Sequence, residues 1–305
     1  MPGDAPKLRG RSAGLTDVGR QRKHNEDHFL VKDDLGFWVV ADGMGGHNAG
    51  DVASRLTTTS LKNFFEATAF EPIPEDLLGD EDMPAGPEPA RRLVAGIKKA
   101  NRDVFVISST HQQHHGMGST VVAAHLDDAG MLHVAHVGDS RCYRLRDASI
   151  EQLTRDHSLV NDAIDMKPDL TEEEIARLPK NIITRALGMR EEVKVDYRAL
   201  RVEEGDTYLL CSDGLSGMVP DHQILEIVSL AGDPHEACDL LVTEANEAGG
   251  VDNISAVLVR IEPAAADQPE VDAAPIDTGI DRAVSPSMRA VLEGGAELDI
   301  ELAGP

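Results

Sequence analysis

Short apolar runs bounded by turn residues recur along the chain, and each predicts a β-strand. The first two, residues 28–34 and 36–42, flank a turn at Leu35-Gly36. Further runs of the same kind occupy residues 119–126, 131–138, 140–147, 193–202, 206–213 and 253–261. Because several of the intervening turns are short, we expect antiparallel pairing.

A helical spacing of three and four residues between apolar positions is clearest over residues 90–108. Thr171 and Asp233 are candidate N-caps, each followed three residues later by Glu, and the helix after Asp233 should end at Gly249-Gly250. Another helix is predicted after Gly50. Runs of strands with helices grouped between them indicate an α+β fold class and not a regular alternation of strand and helix.

The chain has 305 residues, with 29 Lys and Arg against 54 Asp and Glu, so its formal charge is −25. This excess of acid argues against a nucleic-acid partner. No apolar run approaches the roughly 18 residues of a membrane span, and the N-terminus has no apolar signal segment, so we expect a cytoplasmic protein. The three cysteines lack disulfide or metal-ligand spacing and predict buried free thiols.

Much of the acidity lies in two segments. Residues 66–90 hold eight acids, five prolines and no Lys or Arg, which forbids a continuous helix and predicts an exposed insertion. Residues 262–305 hold ten acids and two arginines with little periodic apolar pattern, and they predict a mobile acidic tail. Residues 1–11 are expected to form an N-terminal extension to a domain spanning residues 12–261.

Carboxylates recur where predicted strands end or begin. Asp42, Asp139 and Asp213 each follow an apolar run, and Asp252 directly precedes one. A carboxylate there is partly desolvated, which is costly unless a cation or donor compensates it. Hard divalent cations such as Mg²⁺ or Mn²⁺ prefer oxygen ligands, so the set predicts a shared metal site. Taken singly, each acid has an ordinary alternative as a turn or cap residue.

Arg22 lies four and five residues before the pair Glu26-Asp27, which leads into the first predicted strand. A guanidinium keeps its charge and can bind two phosphate oxygens at once, so Arg22 is a candidate phosphate clamp beside the metal-binding acids. The alternative is a solvated basic run over residues 20–24.

Seven motifs, in this order, resemble the metal-dependent type-2C (PPM) Ser/Thr protein phosphatases in their bacterial form. The resemblance covers roughly residues 12–261. The motifs are Arg22-Lys23-His24-Asn25-Glu26-Asp27, Ala41-Asp42-Gly43-Met44-Gly45-Gly46, Gly118-Ser119-Thr120, Val137-Gly138-Asp139-Ser140-Arg141, Thr184-Arg185-Ala186-Leu187-Gly188, Ser212-Asp213-Gly214-Leu215 and Asp252-Asn253-Ile254-Ser255.

The resemblance implies a central sandwich of two antiparallel β-sheets flanked by antiparallel helix pairs, a four-layer αββα arrangement with the metals at one end. It implies that Asp42 bridges two Mn²⁺ or Mg²⁺ ions and that residues 158–183 form a flap beside the substrate cleft. It further implies that the Gly43 carbonyl, Asp213 and Asp252 bind one of the two ions. Asp27 would orient water on the other ion, and Glu26 would position Arg22. Asp139 and Asp213 would bind a third, weaker ion.

The activity implied is hydrolysis of phosphoserine and phosphothreonine in proteins, opposing a bacterial Ser/Thr kinase. Two ions about 4 Å apart would neutralise phosphate oxygens and acidify a bridging water that attacks phosphorus in line, while Arg22 holds the other oxygens. The expected partners are phosphorylated proteins, including a kinase or its targets, and the chain is expected to be a monomer. The alternatives are a small-molecule phosphomonoesterase with the same site and a non-catalytic binding module.

One position departs from the eukaryotic pattern. Met44 stands where those members place a histidine that is a candidate general acid, so leaving-group protonation is unassigned. His47 is close in sequence and could substitute, but metal-bound water can donate a proton equally well. A second histidine group at residues 111–115 could bind metal, but its position between a helix and Gly116 favours an exposed loop.

Overall fold

The computed structural model of the chain describes residues 7–46, 49–79, 83–179 and 181–264. Within these residues the strands are β1 (Leu8–Asp17), β2 (Asp27–Lys32), β3 (Phe37–Met44), β4 (Gly118–Ser119), β5 (Val121–Leu126), β6 (Met131–Val137), β7 (Arg141–Arg146), β8 (Ser149–Gln152), β9 (Asp196–Arg201), β10 (Thr207–Cys211) and β11 (Ile254–Pro263). The α-helices are α1 (Ala49–Ala67), α2 (Glu88–Thr110), α3 (Leu159–Met166), α4 (Glu172–Ala176), α5 (Asp213–Ser216), α6 (Asp221–Leu230) and α7 (Pro234–Glu247).

The strands form two antiparallel sheets. One has the order β1-β11-β10-β7-β8. The other has the order β2-β3-β5-β6-β9, with the short strand β4 pairing with β3. Every pairing between these strands is antiparallel, as the short turns indicated.

Alternate side chains of the central strands face two different apolar layers, which explains why their sequences are apolar throughout. In β3, Phe37 and Val39 pack with residues of α1 and α2, whereas Trp38 and Val40 pack between the two sheets. A third apolar cluster joins the five-stranded sheet to α6 and α7. The layers are therefore helix, sheet, sheet, helix, and the predicted four-layer α+β sandwich is confirmed.

The predicted helices are present. Residues 90–108 lie within α2, and α4 begins with a capping box between Thr171 and Glu174. Asp233 caps α7, accepting the amide hydrogens of His235 and Glu236. All three cysteines are buried and free, as expected. Strands β1 and β8 and helices α3, α5 and α6 were not predicted from the sequence.

Two predicted segment descriptions differ from the structure. The extension assigned to residues 1–11 overlaps β1, because Leu8 already pairs with Pro263 of β11. The segment 66–90 does interrupt the helices, since α1 ends at Ala67, but it is not wholly exposed: Leu77 is only 2% exposed and packs with the cluster under α1 and α2. The tail lies almost entirely outside the described residues.

The segment predicted to form the flap, residues 158–183, contains α3 and α4, and neither helix has a buried residue. Its ends meet, because Ser158 and Ile183 form an isolated antiparallel bridge. Among the described residues, no helix combines the length and apolar character needed to cross a bilayer.

Candidate metal centre

The predicted acids converge at one end of the sandwich, carried by five separate segments. Asp27 begins β2 and lies directly opposite Asp42 of β3 in the strand register. Cross-strand neighbours of this kind have Cβ atoms about 5 Å apart. Asp213 and Asp139 follow β10 and β6, respectively, and Asp252 precedes β11. The charges of the other four acids all raise the pKa of Asp42, so the cluster is one electrostatic unit.

Asp27 is buried (4% exposed) and is held from one side only. Its Oδ2 accepts hydrogen bonds from the hydroxyls of Ser212 (2.7 Å) and Ser255 (2.8 Å), whereas its Oδ1 is buried with no partner. Burial raises the Asp27 pKa to about 7, although the two hydroxyls act in the opposite direction. A carboxylate fixed on one oxygen presents the other to whatever occupies the cleft.

Asp42 is the acid on which the negative charges of the other carboxylates in the cluster act together. Burial raises its pKa well above the usual value, and the charges of Asp27, Asp213 and Asp139 raise it further. The neighbouring Asp42 carboxyl acts on Asp213 in the opposite direction, as a hydrogen-bonding group that lowers the Asp213 pKa. The Asp42 amide donates to Thr120 Oγ1 at 3.0 Å, which fixes the end of β3.

Asp139 and Asp213 each carry an orphaned oxygen. The Oδ1 atom of each is buried without a hydrogen-bond partner. Burial, followed by the charge of Asp213, raises the Asp139 pKa to about 7. Burial, followed by the charge of Asp252, raises the Asp213 pKa. Leaving such groups unpaired is expensive, so their retention indicates a cationic ligand.

Glu26 and Gly43 are packed against the start of α1. A Cβ atom added at Gly50 would lie 2.5 Å from Glu26 Oε1 and 2.7 Å from the Gly43 carbonyl oxygen, so only glycine fits there. Burial raises the Glu26 pKa, whereas a hydrogen bond from the Gly50 backbone and the charge of Arg22 lower it. The Gly43 amide donates to the Glu26 carbonyl at 3.0 Å, which ties β3 to the turn before β2.

Arg22 has a different partner from the one expected. Its Nη2 donates to Asp252 Oδ2 at 2.7 Å, and towards Glu26 its positive charge acts by lowering the pKa of that carboxyl. Half of the Arg22 side chain is exposed. Asn253 organises this corner, because its Oδ1 accepts the Glu26 amide (2.8 Å) and its Nδ2 donates to the carbonyls of Val18 and His24.

These residues fit hard divalent cations. The donor set is entirely oxygen, three carboxylate oxygens are orphaned, and the acids crowd together at the cost of raised pKa values. Among the described residues, the cluster brings no three carboxylate ligand atoms within 4.8 Å of one another. Like charges repel, so this spacing is expected of uncompensated carboxylates and leaves room for ions between them.

The sequence did not single out the supporting residues. Ser212, Ser255 and Asn253 lie inside the motifs, and their hydroxyl and amide groups hold Asp27 and Glu26, but their spacing gave no sign of it. Gly50 was noted only as preceding a helix. His47 lies outside the described residues. His115 is exposed and His111 and His114 are half-buried around the short 3₁₀ turn Gln112–His114, in the loop predicted between a helix and Gly116.

Comparison with known proteins points to one family. A family model described as Protein phosphatase 2C matches residues 18–239. The chain is 39% identical over 249 residues to the serine/threonine phosphatase stp of Listeria monocytogenes, which covers 80% of this chain and 93% of that protein. The crystal structure of the Mycobacterium tuberculosis serine/threonine phosphatase PstP/Ppp is 33% identical with a TM-score of 0.70, covering 84% of this chain and 99% of that one.

A further solved structure is the PstP catalytic domain in complex with two manganese ions. It is 32% identical to this chain with a TM-score of 0.69, and it covers 84% of this chain and 99% of its own.

Proposed function

The chain belongs to the protein phosphatase 2C family, and from this premise we propose that it is a metal-dependent phosphatase of phosphoserine and phosphothreonine in proteins. The observation that carries the proposal is the set of buried, unpartnered oxygens on Asp27, Asp139 and Asp213 at one end of the sandwich. Such a set is costly to the folded protein at neutral pH unless a cation compensates it.

The carboxylates of Asp42, Asp213 and Asp252 and the Gly43 carbonyl would hold the first ion, and Asp42 would also reach the second. Asp27 would orient water on the second ion from its free Oδ1, and Asp139 with Asp213 would hold a third, weaker one. Mn²⁺ or Mg²⁺ suits these oxygens, and manganese is the ion in the similar PstP structure. When bound, such ions neutralise phosphate oxygens and lower the pKa of water enough to supply a nucleophile.

Arg22 is the residue of this chain that would bind the substrate phosphate. Its guanidinium is half exposed at the edge of the cluster and now donates to Asp252. A bound phosphate offers the same guanidinium two oxygens in a forked geometry. Arg22 would therefore exchange a carboxylate partner for the phosphate and stabilise the charge that develops during transfer.

Asp27 and Glu26 would act on the site through orientation. The two serine hydroxyls fix the Asp27 carboxylate so that its free oxygen stays directed to the cleft. Glu26 is held by the backbone of Gly50 and would set the electrostatic environment of Arg22. No side chain of the described residues is assigned as general acid, because Met44 cannot donate a proton.

We further propose that the chain works as a cytoplasmic monomer that opposes a Ser/Thr kinase on shared phosphoprotein targets. The catalytic domain would extend from β1 through β11, with residues 158–183 as the flap beside the substrate. These finer statements rest on the family resemblance and on the relatives named as serine/threonine phosphatases.

The test is hydrolysis of a phosphothreonine peptide by purified protein with added Mn²⁺ and after full metal removal with EDTA, beside the Asp42→Ala variant. We expect turnover that requires metal and is absent in the variant. Activity that survives complete metal removal refutes the proposal. Competition between a phosphoprotein and small phosphate esters, compared as kcat/KM, tests the small-molecule alternative.

A further inference from the structure

A second group of potential ligands lies beside the acid cluster. His136, His157 and Asp196 bring three ligand atoms within 4.8 Å of one another, and both histidines are buried. The two rings stack with centroids 4.7 Å apart and planes 13° from parallel. Taken alone, this arrangement could suggest a second metal site, with nitrogen as well as oxygen ligands.

The hydrogen bonds argue against metal there. A backbone N–H can only donate, so the Gly138 amide makes His157 Nδ1 an acceptor at 3.0 Å and leaves the proton on Nε2. His136 Nε2 faces the Arg155 carbonyl at 2.9 Å and therefore also carries its proton. Arg185 Nη1 already places a cation 2.7 Å from Asp196 Oδ1. The nitrogen of His157 that faces Asp196 is thus protonated, and the guanidinium fills the place of an ion.

His157 instead connects three parts of the chain. Its amide donates to the Gly138 carbonyl at 3.0 Å, and its ring accepts a hydrogen bond from the Gly138 amide, so two hydrogen bonds join these residues. Its carbonyl accepts the Thr184 amide at 2.9 Å. Gly138 directly precedes Asp139, whereas His157 and Thr184 directly flank the flap at residues 158 and 183.

The turn that carries Asp139 needs this support. Gly138 has a φ angle of 110°, which side-chain-bearing residues rarely adopt, and a Cβ atom there would lie 2.7 Å from Thr120. The turn is therefore held by its hydrogen bonds and not by side-chain packing at Gly138. The His157 ring is 6% exposed and cannot rotate away without losing its stack on His136.

We propose that His157 is a positioning residue that holds the Asp139 turn and both ends of the flap in one arrangement. Its backbone joins the ends of the flap to Gly138, and its Nδ1 atom holds the Gly138 amide. Asp196 faces the ring from the Nε2 side at 3.5 Å, and Arg185 fixes that carboxylate by donating to it at 2.7 Å. The proposal rests on the proposed function only in treating Asp139 as a ligand of the weakest ion.

Three substitutions separate the contacts of the ring. In His157→Asn the side-chain oxygen lies near the Nδ1 position and can still accept the Gly138 amide. In His157→Gln the polar atoms lie near the Nε2 position, and His157→Ala removes both contacts. The matched control is His133→Ala in β6, because His133 is also buried but contacts Asp127 and Tyr197 instead.

Two measurements on the full chain are combined with phosphopeptide kinetics. Hydrogen exchange of the metal-free protein reports the Gly138 and Thr184 amides and the flap, and Mn²⁺ titration reports the weakest site. We expect His157→Ala and His157→Gln to lose protection at Gly138 and in the flap and to bind the weakest Mn²⁺ about tenfold less tightly, the effect of one hydrogen bond. His157→Asn should keep most of both properties.

The proposal is overturned if His157→Ala shows the hydrogen exchange and Mn²⁺ affinity of the wild type. It is also overturned if His157→Gln keeps these properties while His157→Asn loses them. Equal changes in His133→Ala also overturn it, because they indicate general destabilisation. If the wild-type protein binds Mn²⁺ but hydrolyses no phosphopeptide, the proposed function fails while the exchange and Mn²⁺ measurements still decide the role of His157.

Discussion

Replacing Asp139 with asparagine should stabilise the metal-free protein at pH 8. The carboxylate has an orphaned buried oxygen, and burial raises its pKa from 3.8 to about 7. Each pKa unit corresponds to about 1.4 kcal/mol, so holding this group ionised costs the folded state up to about 4 kcal/mol. Local relaxation and water reduce that cost, and we expect a gain of at least about 2 kcal/mol.

The stabilisation by Asp139→Asn should depend on pH in a defined direction. A folded-state pKa above the unfolded value means that the folded state binds more protons between pH 4 and 7, so wild-type stability falls as pH rises through that window. The advantage of Asp139→Asn should therefore be near zero at pH 4, grow up to pH 7 and then level off. For a domain of this size, about 2 kcal/mol corresponds to roughly 4–8 °C in Tm.

The assay is thermal unfolding of EDTA-treated protein at pH 4 to 8, followed by circular dichroism. Asp206→Asn is the control, because Asp206 is a buried acid that is paired with Arg146 at 2.6 Å, and its neutralisation should destabilise the protein. A gain that is the same at pH 5 and pH 8, or a loss at pH 8, refutes the reasoning. With Mn²⁺ added, the variant should gain less stability than the wild type.

Three further changes test the surroundings of the cluster. Ser212→Ala with Ser255→Ala removes both donors to Asp27, so its pKa should rise further and the pH midpoint for Mn²⁺ binding should move upward in a titration series. Gly50→Ala should weaken Mn²⁺ binding and lower kcat, because the added Cβ would displace Glu26 and the Gly43 carbonyl, even though alanine favours helix. Gly46→Ala is the control and should change neither property, because no atom lies within 4 Å of the added Cβ. Asn253→Ala should destabilise the protein by about 1–3 kcal/mol in denaturant unfolding, since it leaves the Glu26 amide unpaired; wild-type stability there contradicts the assigned role.

The central strands could be predicted because both of their faces are buried. β3 and β5 contribute alternate residues to two apolar layers, so their runs are uniformly apolar. β1 was missed for the opposite reason. Two of its positions are glycines that lie against aromatic rings, Gly10 against Trp38 and Gly14 against Phe29. The apolar surface packed at these positions therefore belongs to the aromatic residues and leaves no apolar pattern in the sequence of β1.

The acids of the site could be anticipated, but not the groups that hold them. One carboxylate at a strand end can be an ordinary turn residue, but its recurrence at several strand ends made Asp42 and Asp213 stand out in the sequence. The Ser212 hydroxyl that fixes Asp27 is 185 positions away from it, and only the pairing of strands brings the two together. The Arg22 contact with Asp252 depends in the same way on the approach of two distant loops.

The number of Mn²⁺ ions bound per chain, measured by equilibrium dialysis for the wild type and for Asp42→Asn, tests the central claim most directly. Asp42 lies between the other acids, so we predict at least two tightly held ions in the wild type and loss of both in the variant, with phosphothreonine hydrolysis lost in parallel. Two ions bound with unchanged affinity by Asp42→Asn would contradict the claim that these carboxylates form one metal centre.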